Sequence, residues 1–280
     1  MKLMTINTHS LVEENYEEKL EYFVEYLEKN LCDVVAMQEV NQHTLKPQVL
    51  LDDDFYVKAS EDVVIKEDNH IYNVVKRLKK RDKNYYWTWV PIKLGYGIYD
   101  EGIGLISKEK PVDVVSFYIS KSNDYNNWKV RKVIGIKIKV NSRYRWYFSI
   151  HLGWYNDEEE PFTYQFEKLK EKLKSICKED EEIYLMGDFN NPADIKDEGY
   201  DKIVSSNWYD TYSLAKKKDS GITVAGLIDG WKEHKNLTQM RIDFIFTNRE
   251  IEVESSKTVF TGKNEKIISD HFGVEIDIVD

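Results

Sequence analysis

The chain has 280 residues and a formal charge of −10, from 40 Lys and Arg against 50 Asp and Glu. This length is sufficient for a large hydrophobic core, and the negative charge opposes sequence-independent binding to nucleic acid phosphates without excluding a local basic cleft. The two cysteines, Cys32 and Cys177, have no neighbouring cysteine. They are expected to be buried thiols rather than parts of a disulfide framework or zinc site.

Apolar runs are spread evenly along the chain, without a linker or a repeat, which predicts a single domain spanning residues 1–280. No run approaches the roughly 20 apolar residues that a membrane-spanning helix needs. The short polar N-terminus also lacks the features of a signal peptide. We therefore expect a cytoplasmic protein without membrane contact, and the sequence indicates no obligate protein partner.

The first part of the chain alternates between strand and helix patterns. Residues 2–7 predict a strand, residues 13–30 have apolar side chains at helical spacing, and residues 32–40 form a short apolar run. A strand, helix and strand of these lengths predict a parallel pair with a right-handed crossover. Two more helices are predicted around residues 71–78 and 162–176.

Several later segments alternate apolar and polar residues instead. The stretches VIGIKIKV (133–140), RYRWYFSIH (143–151) and FGVEIDIV (272–279) each place apolar side chains on one face of a strand. Crossover helices combined with such strands predict mixed sheets. The expected fold is an α/β sandwich of two mixed β-sheets packed face to face and flanked by helices.

Polar residues that bind metals or transfer protons stand at the boundaries of several predicted strands. Those that follow a strand are Asn7, Glu39, His151, Asp188 and Asn190, and those that precede one are Asp243, Asp270 and His271. Each alone is explained as well by a cap, a turn or a surface position. Their shared location at strand boundaries indicates a site on the rim of the sheets.

The motifs QEV, HLGW, GDFNNP, RIDFIF and SDHFG occur in this order over nearly the whole chain. They resemble the endonuclease/exonuclease/phosphatase superfamily, which implies a four-layered sandwich and a metal-dependent phosphoesterase. Carboxylate and amide oxygens are the ligands that Mg²⁺ prefers. The resemblance implies Glu39 as the first Mg²⁺ ligand, with Asn7 and Asp270 completing or bordering the site and Mn²⁺ as a possible substitute.

Hydrolysis of a phosphate ester requires in-line attack by water while negative charge gathers on the phosphoryl oxygens. The resemblance implies that Asp188 orients or deprotonates this water and that Asn190 donates to the water or to a phosphoryl oxygen. It further implies that His271 contacts the scissile phosphate, with Asp243 orienting the imidazole.

Four more residues have roles implied by the same resemblance. His151 is expected to face the phosphate, with Glu101 as its carboxylate partner. Arg131 is expected to contact the phosphate, and His9 to contact the substrate. From the residues alone, ordinary surface roles for Glu101 and Arg131 remain open, and Lys129 could take the place of Arg131.

Aromatic residues near these motifs bear on the substrate. Trp154 and Tyr155 follow His151 closely, and Trp128 and Trp231 lie in polar segments where a flat ring suits a sugar or base. The stretches NTHS, KSNDYNNWKVRK and HLGWYNDEEEPF resemble a Gram-positive branch that includes maltose 6'-phosphate phosphatases. A sugar phosphatase is therefore expected. The alternatives are a DNA endonuclease, exonuclease or abasic-site nuclease, a sphingomyelinase-like phosphodiesterase, and a regulator that has lost activity.

Overall fold

The computed structural model describes residues 1–51, 54–226, 228, 231 and 238–279. The strands are β1 (Lys2–Asn7), β2 (Val34–His43), β3 (Tyr86–Gly95), β4 (Tyr99–Ser107), β5 (Asp113–Tyr118), β6 (Lys132–Val140), β7 (Arg143–His151), β8 (Glu182–Asp188), β9 (Tyr209–Asp210), β10 (Lys217–Lys218), β11 (Val224–Ala225), β12 (Gln239–Met240), β13 (Asp243–Thr247), β14 (Val253–Val259) and β15 (Gly273–Ile278). The helices are α1 (Tyr16–Asn30), α2 (His70–Lys79), α3 (Phe162–Ile176), α4 (Gly199–Ser205) and α5 (Thr211–Leu214), with a 3₁₀ turn at Ser10–Val12. Within these ranges, no helix is long and apolar enough to cross a membrane.

Apart from β11 and β12, which pair with each other, the strands form two large mixed sheets. The first has the order β10-β14-β15-β1-β2-β4-β3, and the second has the order β5-β6-β7-β8-β13-β9. The pairs β1–β2 and β7–β8 are parallel, and they lie beside antiparallel neighbours. The prediction of mixed sheets is confirmed.

The two sheets pack face to face through an apolar core that includes Leu3 from the first sheet and Ile136 from the second. On the outer face of the first sheet, Phe23 of α1 and Val74 of α2 belong to a separate core cluster. On the outer face of the second sheet, Phe166 of α3 belongs to a third cluster. Each sheet is therefore apolar on both faces, and the predicted sandwich with outer helices is confirmed.

The first helix begins three residues later than its apolar spacing predicts, at Tyr16. Asn15 adopts a left-handed conformation with φ of 56°, which interrupts the helical backbone. The carboxylate of Glu13 meanwhile contacts His9 and Lys19 and accepts the backbone N–H of Asp270. These tertiary contacts hold Glu13 outside the helix.

Both cysteines are free thiols, and their environments differ. Cys32 is fully buried, as predicted, whereas Cys177 is partly exposed. The expectation of a buried thiol was wrong for Cys177, because this residue caps the C-terminus of α3, where the chain leaves the core.

The buried His70 predicts acid sensitivity of the fold. His70 begins α2, its Nδ1 lies 3.1 Å from the Tyr16 hydroxyl, and its ring stacks on Phe23. Burial, assisted by Arg77, lowers the pKa of His70 from 6.5 to about 3. Between these two pH values the unfolded chain binds a proton that the folded chain does not, so stability falls as the pH drops below 6.5.

Replacing His70 with Asn should therefore reduce the difference in unfolding free energy between pH 7 and pH 5, by up to about 2 kcal/mol. Urea unfolding at both pH values measures this difference. His43→Asn, at a partly exposed position, serves as the control. An identical pH effect in wild type and His70→Asn would assign the acid sensitivity to other groups.

Candidate active site

Three predicted site residues are cross-strand neighbours at one end of the second sheet. Asp188 ends β8 and pairs with His151, which ends the parallel strand β7. On its other side, Asp188 pairs with Asp243, which begins the antiparallel strand β13. Strand direction and register therefore place three residues that are distant in sequence in one row.

In the first sheet, two β-bulges lie at or beside charged residues that line a cavity. One bulge interrupts the pairing of β2 with β4 at Glu39, whose φ is 51°. The second precedes Lys93 in β3, and Lys93 then pairs with Glu101 of β4. A bulge changes the direction of a side chain relative to the regular pleat. Glu39, Lys93 and Glu101 consequently line one cavity, although they come from three strands.

This cavity has a volume of about 250 Å³ and collects most of the predicted site. The predicted residues that line it are His9, Glu39, Glu101, Arg131, His151, Trp154, Asp188, Asn190, Asp270 and His271. The remaining two, Asn7 and Asp243, contact residues of the lining. All twelve side chains are thus brought together, and their individual chemical roles remain predictions.

Asn7 joins the two sheets at the bottom of the site. Its Nδ2 donates to Glu39 Oε1 at 2.9 Å and to Asp188 Oδ2 at 3.2 Å. Its Oδ1 accepts the backbone N–H of His9 at 3.2 Å. The amide therefore links the predicted metal ligand Glu39 to the predicted catalytic carboxylate Asp188.

His271 lies between two carboxylates. Its Nδ1 is 2.9 Å from Asp243 Oδ2, and its Nε2 is 3.8 Å from Asp188 Oδ2. Burial alone lowers the pKa of His271, but the attraction of Asp243 and Asp188 outweighs burial and raises the pKa well above its ordinary value. The two carboxylates therefore favour the protonated imidazole, and the role of Asp243 in orienting it stays a prediction.

Burial raises the pKa of the Asp188 carboxyl, and the negative charge of Asp243 adds to this effect. The backbone N–H of Asn190 donates to Asp188 Oδ1 at 2.9 Å and opposes the increase, as does His271. A carboxylate with a raised pKa is a stronger base. This environment suits a group that accepts a proton from water.

His151 is a neutral imidazole in this environment. Burial lowers its pKa well below the ordinary value, and the nearby cations Arg131 and Lys93 lower it further. Its Nε2 lies 3.2 Å from Asn190 Nδ2, which can only donate, so the proton of the neutral ring is on Nδ1.

The side-chain amide of Asn190 is fully engaged by protein partners. Its Nδ2 donates to the carbonyl of Leu152 at 2.9 Å as well as to His151. Its Oδ1 accepts the indole N–H of Trp231 at 3.1 Å. Trp231 is only 5% exposed, so it holds Asn190 and offers no open ring face to a sugar, and its polar sequence surroundings gave no sign of this contact.

The predicted pairing of Glu101 with His151 is wrong. Glu101 Oε1 instead lies 3.0 Å from Lys93 Nζ, since the bulge in β3 places Lys93 directly opposite Glu101. His151 belongs to the other sheet and contacts Asn190. Lys93 was missed by sequence reasoning, because a lysine in an alternating strand carries no signal of burial.

His9 lies at the mouth of the cavity beside the exposed Tyr96. Its Nδ1 is 2.8 Å from Glu13 Oε1, and its Nε2 is 3.0 Å from the Tyr96 hydroxyl. Burial lowers the pKa of His9, but Glu13 and Asp270 outweigh this effect and raise it to about 9. A positive charge therefore stands at the entrance of the cavity, beside the carboxylates of Glu13 and Asp270.

The oxygen-rich side of the cavity fits a divalent cation. Burial raises the pKa of the Glu39 carboxyl, and the negative charges of Glu101 and Asp270 raise it further, although His9 opposes them. Carboxylates crowded in this way favour a hard cation that offsets their charge. Glu39 and Asp270 are the carboxylates that would hold it. Asn7, the third predicted ligand, borders the site, because it directs its Nδ2 and not its oxygen towards Glu39.

Comparisons with protein families and with solved structures show what this chain is similar to. Residues 4–271 match the profile described as "Endonuclease/Exonuclease/phosphatase family". A solved structure of an endonuclease/exonuclease/phosphatase family protein from Leptotrichia buccalis is 33% identical, with a TM-score of 0.85, and the match covers 100% of both chains. No curated protein matches the sequence.

Two more distant structures share the fold. A mannosyl-6-phosphatase from Bacteroides thetaiotaomicron is 15% identical over 100% of both chains, with a TM-score of 0.66. A 3' phosphatase from Neisseria, bound to a product DNA hairpin, is 15% identical over 100% of both chains, with a TM-score of 0.62. At this identity the similarity shows a common fold, and that fold serves both sugar phosphate and DNA in these two proteins.

Proposed function

Because this chain belongs to the endonuclease/exonuclease/phosphatase family, we propose that it is a Mg²⁺-dependent phosphoesterase that hydrolyses a small phosphorylated substrate in the cytoplasm. The favoured substrate is a sugar phosphate such as maltose 6'-phosphate, cleaved by in-line attack of water. The observation that carries this proposal is the buried row of His151, Asp188 and Asp243 beside the protonated His271.

In the proposed reaction, Asp188 accepts a proton from the attacking water, since its surroundings raise its pKa. His271 carries a positive charge held by Asp243, and it stabilises negative charge that develops on the phosphoryl oxygens. Glu39 and Asp270 would hold a magnesium ion, with Asn7 bordering the site, and the ion would supply Lewis-acid stabilisation of the phosphate when bound. Asn7 keeps the two parts of the site in a fixed relation.

The form and charge of the site support a small substrate. The cavity of about 250 Å³ is lined by Trp128 and Trp154, whose ring centroids lie 5.7 Å apart. Trp128 is 53% exposed, so its ring is open to a sugar at the cavity mouth. The formal charge of −10 disfavours a long polyanion. The mannosyl-6-phosphatase among the structural neighbours provides a precedent for a sugar phosphate.

A DNA nuclease or DNA phosphatase is the alternative, favoured by the neighbour bound to a DNA hairpin. A panel of sugar phosphates, phosphodiesters and plasmid DNA, assayed with Mg²⁺, separates the two. For a sugar phosphate, affinity should fall only gently between low and physiological salt, because few counterions are released. Efficient plasmid nicking without phosphate release from any sugar phosphate would reject the sugar phosphatase and favour the nuclease.

Removing the indole at Trp154 should reduce kcat/KM for maltose 6'-phosphate by about tenfold, since burial of a sugar face on a large ring is lost. Hydrolysis of a small alkyl phosphate without a ring should decline less in Trp154→Ala. The Arg131 guanidinium lies 5.8 Å from the centre of the Trp154 ring, so some effect on both substrates is expected.

Trp154→Phe is the matched control, because it keeps an aromatic face at the same position. This variant should retain most of the activity on the sugar phosphate. If Trp154→Ala lowered kcat/KM equally for both substrates, we would conclude that Trp154 positions Arg131 and does not bind the sugar.

A further inference from the structure

Lys93 is a buried cation that faces the cavity and is absent from the reaction described above. Its side chain contacts Glu101 Oε1 at 3.0 Å and the carbonyl of Trp128 at 2.9 Å, and the residue is 8% exposed. An ammonium group has three N–H donors. These two contacts leave one donor of Lys93 for a ligand in the cavity.

Arg131 stands beside Lys93 and shares one of its partners. Its Nη1 donates to the carbonyls of Trp128 and Val130, each at 3.1 Å. In the described part of the chain, no atom accepts from its buried Nε, and no carboxylate lies within ion-pair distance of it. Arg131 is thus a buried guanidinium with unused donors, lining the same cavity as Lys93.

Burying the two cations Lys93 and Arg131 side by side costs free energy unless an anion is present. A buried charge is stable only when it is paired and hydrogen-bonded. Glu101 pairs directly with Lys93, whereas Glu101, Asp188 and Glu39 attract Arg131 only at longer range. The open donors of the two cations therefore define an anion site, and the carbonyl of Trp128 holds both cations at a common point.

We propose that Lys93 and Arg131 together recognise the second negative charge of a phosphate monoester, and that Lys93 makes the site prefer monoesters over diesters. This inference rests on the proposed phosphoesterase function. A phosphate monoester is largely a dianion at pH 7, whereas a diester carries a single charge. Arg131 binds one phosphoryl oxygen, and Lys93 binds the terminal oxygen that carries an ester group in a diester.

The competing explanation is that Lys93 only balances the charge of Glu101. The variants Lys93→Met, Lys93→Arg and the double variant Lys93→Met/Glu101→Gln separate the two. Methionine leaves Glu101 without its partner, whereas the double variant replaces the ion pair by two neutral side chains of similar size. If Lys93 served only Glu101, the double variant would recover what Lys93→Met loses.

The measurements are kcat/KM for p-nitrophenyl phosphate and bis(p-nitrophenyl) phosphate with Mg²⁺, and the inhibition constant of inorganic phosphate. In Lys93→Met, we expect the monoester-to-diester ratio of kcat/KM to fall by about tenfold to a hundredfold, because a hydrogen bond to a charged oxygen is lost. Inhibition by phosphate should weaken by a similar factor. Lys93→Arg should restore much of both, and the double variant should remain defective.

Equal losses on monoester and diester, or recovery in the double variant, would overturn the role of Lys93 and leave the phosphoesterase intact. If wild type cleaves no diester, phosphate inhibition and the double variant decide the question. Failure of wild type to cleave either ester and every sugar phosphate would reject the proposed function itself. Circular dichroism and the thermal midpoint of each variant identify any that fail to fold. If Lys93→Met fails, the double variant, which leaves no unpaired buried charge, preserves the test.

Discussion

Removal of divalent cations by a chelator should abolish phosphate release, and added Mg²⁺ or Mn²⁺ should restore it. The reason is the accumulation of Glu39, Glu101 and Asp270 on one side of the cavity, where burial and mutual repulsion raise the pKa of Glu39. A cation offsets this charge and stabilises the developing charge on the phosphate. Full turnover in excess chelator would reject a metal-dependent reaction.

A variant of the predicted metal ligand Glu39 tests whether the required cation binds at the proposed site. Glu39→Gln removes a carboxylate but keeps an oxygen, so the Mg²⁺ concentration for half-maximal activity should rise by at least about tenfold. Direct titration of the protein with Mg²⁺ by calorimetry, without substrate, should show the same weakening. Glu250→Gln changes an exposed glutamate and should leave the Mg²⁺ affinity unchanged. Equal Mg²⁺ affinity in Glu39→Gln and wild type would remove Glu39 from the metal site.

Asp188→Asn and His271→Ala should each lower kcat by about a hundredfold or more, since each removes a group that acts in the transition state. Asp188 lies within 3.7 Å of His151 Nε2, 3.8 Å of His271 Nε2 and 3.2 Å of Asn7 Nδ2. Loss of the Asp188 charge therefore changes the electrostatic surroundings of all three of these neighbouring side chains. Steady-state kinetics of the folded variants measures the effect.

The two groups should act as one unit, because the charge of Asp188 helps to keep His271 protonated. The double variant should consequently lose much less than the product of the two single losses. Asp194→Asn is a matched control, because Asp194 is exposed and follows Asp188 by six residues. Near-normal turnover in a folded Asp188→Asn or His271→Ala protein would exclude that residue from the reaction.

Much of the fold was predictable because its causes are local. The alternating residues of 133–140 and 143–151 became β6 and β7, and the apolar spacing of 162–176 became α3. In each segment, the spacing of the apolar residues equals the period of the helix or strand that forms. The local sequence was therefore sufficient to predict these elements. The start of α1 was not predictable in this way, since Glu13 is kept out of the helix by His9, Lys19 and the backbone of Asp270.

The gathering of the predicted site residues was likewise foreseeable from the strand ends and the ordered motifs. Their pairing was not. Glu101 was matched with His151, yet its partner is Lys93, and Trp231 contacts Asn190 instead of presenting a ring face. The single-domain organisation, the metal and the individual chemical roles remain predictions.

The sequence by itself determined which residue types stand at which strand boundaries, and therefore that carboxylates, amides and histidines meet at one rim. Only the tertiary structure decided which of them touch. Contacts such as Asn7 with Asp188 join two different sheets, and Lys93 meets Glu101 only because a bulge shifts the register of β3. Register, bulges and sheet packing depend on long-range interactions along the whole chain, so no local pattern around Lys93 or Glu101 encodes that pair.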